Sequence, residues 1–137
     1  MIAITEDDFD PGVYINAARI RENGGIVTFT GIVRDDGILS MELESYKDVA
    51  LQELANIRDE AMTRYGINSL DIIHRIGKLA VGDHIVLIVV GSSHRKAAFQ
   101  ACEYVIDRIK ECVPIWKKEQ TNEGTRWVPG EHNLGSD

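Results

Sequence analysis

The sequence predicts an α+β fold with a mainly antiparallel sheet, and three observations predict it. Seven strand-like runs and three helical stretches follow the order β-α-β-β-α-β-β-α-β-β, so strands meet three times with no helix between them. A parallel neighbour needs a long crossover, so such direct links mean antiparallel pairing. The helical stretches carry apolar residues at helical spacing, whereas the strand-like runs are rich in β-branched residues. The 137 residues are 44% hydrophobic and 27% charged, as expected of one globular domain with its own core. A single domain over 1–137 is therefore expected, with 129–137 as a loose C-terminal tail.

Ile2 to Thr5 alternates and reads as an edge strand. Asp10-Pro11 opens a helix, with Asp10 as N-cap and Pro11 in the first helical position. Asn23-Gly24-Gly25 should end it. Gly25 to Val33 is β-branched and aromatic and reads as a core strand. Asp35-Asp36-Gly37 is a turn signal, and Leu39 to Tyr46 alternates as a half-exposed strand expected to pair with the one before. Lys47 to Tyr65 places Val49, Ala50, Leu54, Ile57, Ala61 and Met62 at helical spacing and stops at Gly66. Ser69 to Ile76 and His84 to Val90 are two further strands, separated by Gly77 to Asp83. His94 to Cys112 is a helix with Ala98, Cys102, Val105, Ile109 and Cys112 on one stripe, closed by Pro114. Ile115 to Gln120 and Thr125 to Val128 form a hairpin around Asn122-Glu-Gly124.

Fifteen basic and 22 acidic residues give a net charge of −7, which disfavours a broad nucleic-acid surface. Charge is unevenly placed, however. From His94 to Lys118 there are six basic residues against three acidic ones, a local +3, which leaves −10 elsewhere. Such a stretch is either an anion site or chance clustering on solvated helix faces. Cys102 and Cys112 lie ten helical residues apart, roughly 15 Å, too far for a disulfide. They read as two buried free thiols of a reducing compartment. No Cys/His spacing fits a metal site, and no cofactor is expected. The acidic first ten residues do not read as a signal peptide, and no apolar run is long enough for a membrane span. A cytoplasmic protein is expected.

Three constellations could carry chemistry. Gly91-Ser92-Ser93-His94-Arg95 joins a strand to a helix start, where N–H groups and the helix dipole favour an anion. Arg95 opposes that dipole unless an anion is present. Alternatively, Ser93 caps the helix and His94 and Arg95 face water. A Ser-His dyad is the weaker option, because sequence neighbours rarely align as nucleophile and base. Lys110, near the end of the same helix, and Lys117, on the outgoing strand, could aim at one pocket as nucleophile, proton shuttle or charge pair, or could be solvated lysines. Arg34 ends a strand, either as a functional side chain or as the partner of a neighbouring acid. His94 and Lys110 are about 24 Å apart by helical rise. Either they serve separate sites, or a twofold dimer sets one chain's helix start beside its partner's helix end.

Four stretches, in this order, resemble the large, catalytic subunit of molybdopterin synthase. They are Gly25-Ile-Val-Thr-Phe-Thr-Gly-Ile-Val-Arg34, Ile73-His-Arg-Ile-Gly77, Ser92-Ser-His-Arg-Lys-Ala-Ala-Phe99, and Lys110-Glu-Cys-Val-Pro-Ile-Trp-Lys-Lys-Glu119 with Arg126-Trp127. The resemblance implies an α/β hammerhead-type fold with an added antiparallel β subdomain and three main helices. It implies a central homodimer within a heterotetramer, each end holding a small ubiquitin-like sulfur-carrier subunit whose C-terminal Gly-Gly is a thiocarboxylate. The implied reaction is sulfur transfer to cyclic pyranopterin monophosphate, forming the dithiolene of molybdopterin. By the same resemblance Lys110 and Lys117 are the catalytic lysines. Arg34, His94, Arg95, Lys117 and Glu119 bind substrate, with His94-Arg95 coming from the partner large subunit. Where the family can carry a further cross-dimer arginine, this sequence reads Pro129-Gly-Glu-His132. A binding module of the same fold without turnover is the alternative from another functional class.

Overall fold

In the computed structural model, which describes residues 1–128, the β-branched runs at Ile72–Ile73 and Ile85–Val90 form the centre of a four-stranded sheet. Its strands are β1 (Ile2–Thr5), β2 (Gly25–Ile32), β4 (Ser69–Arg75) and β6 (His84–Ser92), in the order β1-β4-β6-β2. A second four-stranded sheet comprises β3 (Ile38–Ser45), β5 (Gly77–Ala80), β7 (Ile115–Thr121) and β8 (Gly124–Val128), in the order β5-β3-β7-β8. Only β1 and β4 pair in parallel. Every other pairing is antiparallel. Three helices complete the described chain: α1 (Pro11–Ala17), α2 (Lys47–Tyr65) and α3 (Arg95–Cys112). This is the expected α+β architecture, with the second sheet as the added antiparallel subdomain. Among the described residues no helix is long and apolar enough to cross a membrane. The expected loose tail and the Pro129–His132 departure lie outside the described residues.

The core lies between α2, α3 and the two sheets. α2 buries Ala50, Leu54, Ile57 and Ala61, and α3 buries Ala98, Ala101, Cys102, Val105 and Ile109. Each stripe recurs every three or four residues, so a single helix face meets the sheet. Gly66 closes α2 at φ 64°, a left-handed conformation that glycine adopts without strain.

Several expectations need correction. α1 stops at Ala17 rather than near Asn23. The Asn23 amide donates to the Ala18 carbonyl at 2.9 Å, so a side chain takes an acceptor that a longer helix would have used. β2 is an edge strand, not a central one, because it bonds only to β6. Its Ile26 and Val27 pack against the core, while Phe29 and Ile32 remain exposed. β3 pairs with β5 and β7, not with β2. The Val33 N–H donates to the Asp83 carbonyl at 2.9 Å, and the Gly82 N–H donates to the Val33 carbonyl at 2.7 Å. This clasp redirects the chain into the second sheet before a hairpin can form. β5 falls within the Gly77 to Asp83 stretch expected only to separate two strands, and its four residues give too short an alternation to register. Cys102 is buried, but Cys112 is only half-buried.

Candidate active site

The last turn of α3 carries Lys110, where the helix dipole favours a cation. Val113 leaves the helix in an extended conformation, its N–H returning to the Ile109 carbonyl at 3.1 Å, and Pro114 prevents further helix. The chain then runs out as β7. Alternation puts Ile115, Lys117 and Glu119 on one face of that strand. Register sets Lys117 opposite Leu43 of β3 and Val128 of β8.

The consequence is a small pocket lined by Leu43, His74, Ile85, Ile109, Lys110, Val113, Ile115 and Lys117. Five of those side chains are aliphatic, so the two lysine ammonium groups lie beside a surface that does not solvate charge. An anion entering there meets two cations with little competing water. His74 adds an imidazole from β4 and is 6% exposed. Its Nδ1 lies 2.8 Å from the Arg75 carbonyl oxygen. Sequence reasoning gave His74 no role. The available signal was a histidine among isoleucines in a strand bound for the core.

Glu119 continues the Lys117 face but does not line the pocket. Its Oε1 accepts from Arg126 Nε at 3.0 Å and Nη2 at 2.8 Å, across the β7–β8 pairing. Arg34 follows β2 and is exposed, with Nε donating to Asp36 Oδ2 at 2.7 Å, so in this conformation it has the acidic-neighbour partner. Among the described residues neither Arg34, His94 nor Arg95 lines the lysine pocket.

His94 is the N-cap residue of α3, in an extended conformation and without a side-chain cap bond. His94 and Arg95 are both exposed. Ser93 is not the cap either. Its hydroxyl donates to the Glu22 carbonyl at 3.2 Å and accepts from the Asn68 amide at 3.2 Å. That occupancy disfavours a Ser-His dyad. The α3 start therefore holds two exposed basic side chains, Arg95 and Lys96, and no acidic residue in its first turn.

The structure thus brings Lys110, Lys117 and His74 together and leaves His94 and Arg95 at the far end of α3, about 22 Å away by helical rise. A family model described as MoaE protein matches residues 4–112, most of the chain. The chain belongs to the MoaE family. The matched span includes Arg34, His94, Arg95 and Lys110, while Lys117 and Glu119 follow it. The chain is 46% identical over 133 residues to a molybdopterin synthase catalytic subunit of Ralstonia nicotianae, covering 93% of this chain and 76% of that one. It is 39% identical over 132 residues to the protein of the same description from Pyrococcus abyssi, covering 93% and 89%. The crystal structure of molybdopterin synthase from Staphylococcus aureus superposes with a TM-score of 0.86 at 40% identity, covering 91% of this chain and 94% of that one.

Proposed function

We propose that this MoaE-family chain is the catalytic subunit of a molybdopterin synthase. It would convert cyclic pyranopterin monophosphate to molybdopterin with sulfur from the C-terminal thiocarboxylate of a small ubiquitin-like partner. The observation that carries the reading is the convergence of Lys110 and Lys117 on one aliphatic-walled pocket. A thiocarboxylate is an anion on a narrow Gly-Gly tail, and such a pocket attracts the charge while excluding water. During transfer the acyl carbonyl gains negative charge, which a fixed ammonium group stabilises. Lys110 fills that role, polarising the carbonyl or moving a proton, and Lys117 orients it. Arg34, His94 and Arg95 hold the substrate's phosphate, as guanidinium and imidazole donors do, and Glu119 completes the binding set from the Lys117 face.

Arg95 and Lys110 of one chain are too far apart for one small substrate, so the complete site needs a second copy. The edge of β2 fits that need, with Phe29 and Ile32 exposed and Phe99 of α3 exposed nearby at the rim of a shared depression. Two copies meeting there would cover the apolar groups and bring each α3 start towards the partner. The resulting homodimer, with a small subunit at each end, is a heterotetramer. The half-buried and buried free thiols suit a cytoplasmic location.

The test is a reconstituted conversion with a thiocarboxylated small subunit and the cyclic pterin. Lys110→Ala should lower dithiolene formation at least a hundredfold, within the usual range for losing a group that stabilises developing charge. Full product formation by that variant removes Lys110 from the mechanism. Tight partner and pterin binding by the unaltered chain, with no product, would instead make it a binding module.

A further inference from the structure

Three connections meet at the start of α3, and one side chain ties them together. Asn68, between α2 and β4, is half-buried. Its Nδ2 donates to the Glu22 carbonyl at 3.1 Å, to Asn23 Oδ1 at 3.1 Å and to Ser93 Oγ at 3.2 Å. Its backbone N–H donates to the Gly91 carbonyl at 2.9 Å. The Ser93 hydroxyl in turn donates to the Glu22 carbonyl at 3.2 Å, and the Gly24 N–H donates to the Ser92 carbonyl at 2.9 Å. The turn from β6 into α3 is thus held at Gly91, Ser92 and Ser93, the three residues before His94. Packing is close as well. A Cβ at Gly24 would overlap the Ser93 carbonyl oxygen, and one at Gly25 would stand 3.7 Å from the Arg95 Cα. The backbone on both sides of His94 is therefore seated against the start of β2. Asn23 extends the network, its Nδ2 donating to Ser69 Oγ at 3.2 Å. The side chains of this network are amides and hydroxyls, and Glu22 enters it through its carbonyl oxygen. They fix the backbone without placing a carboxylate where it would compete with an anion for Arg95.

We propose that Asn68 is a positioning residue: acting through Ser93, it fixes where His94 and Arg95 stand and so how tightly the substrate's phosphate is held. The inference rests on the proposed role of His94 and Arg95 in binding that phosphate and deepens it. Both side chains are exposed, so their own packing does not set their place. The turn that carries them must do so, and a loose turn would lose affinity to its own ordering.

The test measures binding of the cyclic pterin to the full chain by calorimetry, beside its affinity for the small subunit. Asn68→Ala should weaken pterin binding about three- to tenfold, the scale of one lost hydrogen bond. Affinity for the small subunit should hold, because the lysine pocket proposed for its tail lies at the other end of α3. In the conversion assay the change should fall on KM, with kcat within about twofold. Asn68→Asp, equal in size but able only to accept when ionised, should bind pterin no better than the alanine variant. Ser93→Ala should weaken pterin binding and Ser93→Thr should retain it. Asn68→Ala combined with Ser93→Ala should be no worse than Asn68→Ala alone, since the two act through one contact. Unchanged pterin affinity in folded Asn68→Ala, an equal loss for both ligands, or additive losses in the double variant overturn the proposal. If Asn68→Ala does not fold, the Ser93 variants decide, and equal pterin affinities of Ser93→Ala and Ser93→Thr overturn it. Binding needs no turnover, so a chain that binds pterin without converting it fails the functional reading while Asn68 stays tested. A chain that does not bind the pterin at all overturns both.

Discussion

Hybrid dimers give the sharpest test of a composite site. α3 runs 18 residues from Arg95 to Cys112, and about 22 Å separates Arg95 from Lys110. If each site takes Lys110 from one chain and His94-Arg95 from the other, His94→Ala and Lys110→Ala damage different contributors. A hybrid of the two chains then has one site with both defects and one with neither. Purified through two different affinity tags, that hybrid should run at about half the wild-type rate per dimer, by twofold counting. A freely exchanging equal mixture should reach about a quarter, because half of the dimers are hybrids. The assay is dithiolene formation with saturating thiocarboxylated partner, each variant alone serving as baseline. A purified hybrid no more active than the two parents would refute sharing, and Lys110 would then have to work without the neighbour's His94.

Three further outcomes follow from the geometry. Asp8 accepts a hydrogen bond from His84 and from the Phe9 N–H, chiefly the first, and its carboxyl titrates below the ordinary 3.8. A lowered folded value stabilises the fold above the unfolded value and stops doing so as pH falls through the folded one. Asp8→Asn should therefore lower the urea midpoint at pH 7 and leave it unchanged in acid well below pH 3.8. Burial pushes the Cys102 thiol up to about 11, so at pH 8 an alkylating reagent should modify half-buried Cys112 first; faster labelling of Cys102 would contradict the packing of α3. A side chain at Gly91 would overlap the Asn23 amide and the Ser69 hydroxyl, so Gly91→Ala should destabilise by about 1–3 kcal/mol in chemical denaturation.

Elements with strong local signals were legible in the sequence. α2 has the expected bounds, Lys47 to Tyr65, because its apolar stripe and its closing glycine agree. Asp10 caps α1 by accepting a hydrogen bond from the Gly12 N–H at 2.9 Å, as an Asp-Pro pair suggests. What failed was partnering. Composition says that Gly25–Ile32 suits a sheet but not whether both of its edges are bonded, and the second edge stays open. The Val33–Asp83 clasp joins residues 50 positions apart, and no local pattern announces it. The lysine pair was visible because Pro114 turns the chain back on itself between them. His74 was not, because its place in the pocket depends on the end of β4 and the end of α3 bordering one cavity, a tertiary fact.

The two ends of α3 meet the helix dipole in opposite ways. At the C-terminal end Lys110 sits where a cation is favoured, so its ammonium group is stabilised before any ligand arrives. At the N-terminal end Arg95 and Lys96 sit where a cation is disfavoured, with no acid in the first turn and no side-chain cap. That end improves its electrostatics only when an anion arrives. One helix thus presents a prepared cation at one end and an unmet demand for an anion at the other. A substrate phosphate bound between two copies would satisfy the second while placing its reacting carbon near the first. With the cations paired across such an interface, rather than spread over one surface, even a chain of net charge −7 would bind that anion. Raising salt should therefore weaken pterin binding more than it weakens the dimer. Equal weakening of both would mean that the apolar β2 edge does not hold the copies together.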